Sequence, residues 1–153
     1  MEITLKMNIQ DHEFELKANL TMKAGRIYRQ QFNRDLSEDL MSLYKKNTGS
    51  VFDNIDYSKI DVDSQTDEEI QNELVRQALP IYFRNRRESA LTYSDTEQAC
   101  QIIWAFVKNA DDTTPVYTEW IDGFDFVLPI KDLINILYNA WNETARPTVE
   151  VKN

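Results

Sequence analysis

The side chains that could carry chemistry in this sequence are few. Asp61-Val-Asp63-Ser-Gln65 opens like a calcium-binding loop, in which alternating acids converge on one hard cation. The sixth position of that loop is Thr66 rather than the glycine of the sharp turn. The twelfth is Asn72 rather than a bidentate Glu, so the last ligand pair is also missing. Asp111-Asp112 is a pair of carboxylates, which does acid–base work only where two environments separate the pKa values. No basic or apolar partner accompanies the pair, and acids at that position read as caps for a helix opening at Pro115. Cys100 falls in an apolar helical stretch and reads as a small buried hydrophobe. His12 lies at a turn and is the single His, so no His-paired nucleophile can be assembled. No catalytic, cofactor-binding or metal-binding residue is assigned. The expectation is a non-enzymatic protein without a cofactor.

The aromatic residues raise a different question. The chain has three Trp, seven Tyr and seven Phe. Trp104 belongs to the most apolar stretch and reads as core. Trp120, Phe124, Phe126 and Trp141 gather around the last two helical segments. Core packing accounts for them, and so does a partner-binding face, because aromatics dominate binding hot spots. These four are the candidate partner-binding residues.

Charge narrows the partners. The chain has 26 acids against 17 bases, for a formal net charge of −9. Residues 51–75 contain eight acids and one base, Lys59. Residues 21–46 run the other way, with six bases and three acids. Such asymmetry fits oppositely charged faces of neighbouring subunits, and it equally fits a solvated acidic loop. It argues against nucleic acid or an anionic membrane as a partner, since phosphate contacts need clustered cations. The one dense basic cluster, Arg84, Arg86 and Arg87, is too short for such a footprint. Three Gly, at positions 25, 49 and 123, leave no phosphate-binding loop. One Cys permits no intramolecular disulfide. The longest apolar run, Ile102 to Val107, is too short for a membrane span. The opening MEITLKMNIQ carries no signal-peptide pattern.

The elements that must position these residues follow from periodicity. With 153 residues and 42% hydrophobic content, a single domain over 1–153 is expected. Ile3, Leu5 and Met7 alternate with polar residues, as do Phe14 and Leu16, which predicts an antiparallel hairpin over 1–18. Helical spacing predicts helices over 19–46, with a capping box at Asp35-Leu-Ser-Glu38 and a stop near Asn47-Thr-Gly49. Residues 47–65 read as an acidic linker whose apolar residues pack somewhere. A helical part over 66–144 begins with the capping box Thr66-Asp-Glu-Glu69. Pro80 should end or kink its first helix. Ser94 or Asp95 opens a central, buried helix, Pro115 opens a short one ending at Gly123, and Pro129 opens the last. Residues 145–153 read as a loose tail. The fold class is α+β, mostly helical with a small N-terminal antiparallel β-hairpin.

Residues 98–128 read QACQIIWAFVKNADDTTPVYTEWIDGFDFVL. An apolar helix ending Trp-Ala-x-x-Lys-x-Ala-Asp, then Pro, a Glu-Trp-Ile-Asp helix and a Phe-rich turn resembles the tail assembly chaperones of long-tailed, siphovirus-type phages and prophages of Gram-positive bacteria. The opening MEITLKMN with FELK is similar to their N-terminal strand pair. The resemblance covers the ends and the C-terminal half, and residues 47–65 fall outside it. It implies a non-enzymatic factor of the host cytoplasm that coats the tape measure protein while tail tube subunits polymerise around it. It also implies a homo-oligomer that is absent from the finished virion. A second class remains open, a small acidic immunity or inhibitor protein that neutralises a cationic toxin by charge complementarity.

Overall fold

The computed structural model describes residues 1–48, 51–87 and 91–144. The alternating start forms an antiparallel hairpin of β1 (Glu2–Ile9) and β2 (His12–Asn19). Leu5 pairs with Leu16 and Met7 with Phe14. Leu5, Met7, Leu16 and Ala18 are buried, while Thr4, Lys6, Glu15 and Lys17 on the other face are exposed. The connecting Gln10 and Asp11 both have positive φ, 51° and 64°. Positive φ at both positions is the mark of a type I′ turn, whose twist matches that of the strands it joins.

Six α-helices follow among the described residues, α1 (Met22–Phe32), α2 (Leu36–Thr48), α3 (Asp67–Arg87), α4 (Tyr93–Ala110), α5 (Tyr117–Asp122) and α6 (Ile130–Thr144). The protein is therefore α+β and mostly helical. α1 ends where Asn33 turns left-handed, at φ 55° and ψ 41°. At the start of α2 the Asp35 carboxylate accepts from the Glu38 amide at 2.8 Å. α4 opens with a reciprocal box. The Asp95 amide donates to Thr92 Oγ1 at 3.1 Å, and the Thr92 amide donates to Asp95 Oδ2 at 3.0 Å. This moves the helix start ahead of the expected Ser94 or Asp95, because Thr92 supplies the cap and Asp95 its third position.

Two expectations around α5 are corrected. Pro115 does not open the helix, which starts two residues later with Val116 at its N-cap. The Pro115 carbonyl instead accepts from the Trp104 indole at 2.9 Å, holding the connection against α4. Asp111 does not cap α5 either. It ends α4 and shapes the following turn, accepting from the Thr113 amide at 3.0 Å and the Thr113 hydroxyl at 2.6 Å. Gly123 closes α5 in a right-handed conformation. Its demand is space, since a Cβ there would lie 3.3 Å from the Trp120 carbonyl oxygen.

Contacts group the chain into two compact units, Met1–Leu43 with Thr92–Asn153, and Tyr44–Leu91. In the first, α4 lies at the centre, and every residue from Ile102 to Val107 is buried. It packs on β2 and α1, and more lightly on α5 and α6. Phe32, Trp104 and Tyr117 interlock edge to face where α1, α4 and α5 meet, with centroids 5.5–6.2 Å apart. The second unit contains the segment read as an acidic linker. Two 3-10 turns, Val51–Asn54 and Tyr57–Lys59, occupy part of it, and Ile55 is buried. Gln77 of α3 clamps it from both sides, accepting from the Asp56 amide at 2.6 Å and donating to the Asp56 carbonyl at 3.1 Å. α3 runs through Pro80 as one helix and starts with the expected Thr66–Glu69 exchange. The tail at 145–153, the stop at Gly49 and the side chains of Arg86 and Arg87 lie outside the described residues.

Candidate functional site

Three of the four candidate aromatics come together. Trp120 projects from α5, and Phe124 and Phe126 follow on the turn before α6. Trp120 and Phe124 meet edge to face at 4.8 Å, and Phe124 meets Phe126 at 5.5 Å. A fourth ring completes the group. Phe14 of β2 lies 5.7 Å from Phe124 and 5.1 Å from Phe126, both edge to face. The six-residue α5 and the turn after Gly123 bring the rings back over the hairpin. Edge-to-face pairs of this kind contribute about 0.5–1.5 kcal/mol each beyond area burial.

All four rings are half-buried, so each keeps an edge toward solvent. Val127, next along the turn, is 86% exposed. Beside Phe14 and Phe126 lies a cleft of about 300 Å³, bordered by Ile9, His12, Glu13 and Asp125. Glu13, Asp122 and Asp125 are exposed. The surface thus has an aromatic floor and carboxylates at its rim. It can take an apolar side chain flanked by Lys or Arg.

Trp141 belongs to a different contact. Its ring packs on Phe106 of α4 at 5.6 Å, and its indole N–H donates to Ser37 Oγ of α2 at 3.2 Å. It holds α6 against α4 and α2.

Two surface features escaped the sequence reading. Phe14, two residues past the turn-closing His12, is half-buried and joins the aromatic group. On α3, Val75, Leu79, Tyr82 and Phe83 form an exposed apolar stripe at helical spacing. Ile70, Leu74 and Ala78 of the same helix are half-buried.

The residues weighed for chemistry are occupied structurally. Burial and the nearby Glu97 carboxylate push the Cys100 thiol up to about 11, far from a reactive thiolate. Asp61 accepts from the Ser64 hydroxyl at 2.7 Å and the Asp63 amide at 3.0 Å, an acid closing its own loop. Among the described residues, no three His, Cys, Asp or Glu side chains converge as metal ligands. No helix among them is long and apolar enough to cross a membrane. No protein-family model matches the chain, and neither a curated protein nor a solved structure shows significant similarity to it.

Proposed function

We propose that the protein is a phage tail assembly chaperone that holds the tape measure protein through the surface built by Phe14, Trp120, Phe124 and Phe126 and helps recruit tail tube subunits. The observation that carries this reading is the half-exposed aromatic group with an acidic rim. The sequence resemblance over 98–128 supports it from a separate direction. A tape measure helix exposes apolar surface until the tail tube encloses it. Its carrier needs modest apolar contacts, like-charge repulsion for solubility and ready release. An aromatic floor supplies the first, and a net charge of −9 supplies the second.

The test is co-expression with the long helical tape measure protein from the same genome. The expected result is a soluble complex with several copies of this chain per tape measure protein. Trp120→Ala and Phe124→Ala should each weaken capture at least tenfold while far-UV circular dichroism stays unchanged, since truncating an interface anchor costs about 2 kcal/mol or more. An insoluble tape measure protein, or capture indifferent to both changes, overturns the assignment. A one-to-one complex with a single basic toxin would instead identify the acidic rim as an inhibitor surface.

A further inference from the structure

The hairpin is a two-stranded sheet, so each strand has an outer edge. Ile9 and His12 close the two-residue turn and pair with each other. From that pair outward, alternate residues of β1 exchange hydrogen bonds with β2. Glu2, Thr4, Lys6 and Asn8 therefore direct their N–H and C=O groups away from β2. Among the described residues, no backbone or side-chain group bonds to that row. The outer edge of β2 differs at its end, because Asn109 Nδ2 of α4 donates to the outward Asn19 carbonyl at 2.7 Å. Natural edge strands are blunted by Pro, bulges or unmatched charge. β1 has no Pro, and its register with β2 runs unbroken from Glu2 to Ile9.

We propose that β1 pairs antiparallel with β1 of a second copy of this chain, about a twofold axis at Thr4, so that two hairpins join as one four-stranded sheet. Charge selects the register. With the axis at Thr4, Glu2 of each copy faces Lys6 of the other, and Thr4 faces Thr4. An axis at Leu5 sets Lys6 against Thr4 and Glu2 against Asn8. An axis at Lys6 sets the two lysines against each other. Of these three, the Thr4 register alone matches both charges across the edge. It also places Ile3, half-buried in one copy, beside Leu5 of the other on the apolar face. The contact is isologous and closes on itself, as a stable dimer interface requires. It stands apart from the aromatic surface and holds whether or not that surface binds a tape measure protein.

The test is the mass of the full chain in solution by sedimentation velocity, with far-UV circular dichroism as a fold control. The expected wild-type species is a dimer or an even multiple of one. Thr4→Pro removes only an outward N–H, so it should spare the hairpin and weaken association at least tenfold. Lys6→Glu and Glu2→Lys should each do the same by opposing like charges, and the double swap should restore association. A monomeric wild type, indifference to Thr4→Pro and Lys6→Glu, or a double swap no better than either single change overturns the pairing. No tape measure protein is needed, so failed capture and failed dimerisation are separate results.

Discussion

At Asp39 two effects oppose one another. Burial raises the carboxyl pKa, while hydrogen bonds from Arg34 and Tyr28 lower it, and the net direction is down. The Tyr28 hydroxyl donates to Oδ2 at 2.6 Å, and Arg34 reaches the same oxygen at 2.7 Å and Oδ1 at 3.2 Å. Tyr28 is buried and Arg34 is half exposed, so solvent discounts the arginine's share. Asp39→Ala should cost about 2–3 kcal/mol, Tyr28→Phe less and Arg34→Ala least, an order that urea denaturation can check. A depressed folded pKa means the stabilisation is complete above the ordinary carboxylate range. It is lost as pH falls through that range toward the folded value, and Asp39→Asn should flatten this acid limb. Tyr117 presents the reverse case. Its ring is buried, and its hydroxyl has no partner in good hydrogen-bond geometry, although the Glu97 carboxylate lies close by. Burial, with the adjacent Cys100 and Glu97, pushes its pKa up, so the phenol stays neutral. Tyr117→Phe should be neutral or stabilising by about 1 kcal/mol, because it removes an unsatisfied polar group. A loss above that in the same denaturation experiment would show a bond the structure does not contain.

Among the elements, α3 is the one that runs against its own sequence. A proline inside a helix removes a donor and crowds the preceding turn, at a cost of about 3 kcal/mol relative to alanine. The helix nonetheless continues from Asp67 to Arg87. Its capping box, the Gln77 clamp on Asp56 and the Arg76–Glu73 ion pair offset that cost within the same unit. Pro80→Ala should therefore raise helical ellipticity and slow amide exchange along α3, with little change in the amides of α4. Faster exchange in α3 would show that the proline fits a bend the helix needs. Elements whose local signals agreed were legible in advance. The hairpin had unbroken alternation, and the start of α3 had both halves of its box. The start of α5 was misread because proline suits both the first helical position and the extended residue before it. Trp104, eleven positions away, decides between them by binding the Pro115 carbonyl.

For the whole molecule, acidic and aromatic groups meet at one place, where Glu13 and Asp125 border Phe14 and Phe126. A partner with the complementary pattern gains steering from the rim and affinity from the floor. Capture should then respond to Trp120→Ala and Phe124→Ala and remain insensitive to Lys6→Glu, which lies on the opposite face of the hairpin from Phe14. Loss of capture with Lys6→Glu would mean that the partner binds only the paired form.

The sequence by itself determined the classes of element, most of their caps and the buried identity of α4. These depend on periodicity and on interactions spanning a few residues, which the order of side chains states directly. Tertiary structure alone decided which aromatics share a surface. Phe14 is about a hundred positions from Phe124 in the chain, and no local period connects them. Trp141, equally plausible on spacing, went to Phe106 and Ser37 instead. Burial is a property of what lies opposite a side chain, and only the folded chain places one residue opposite another.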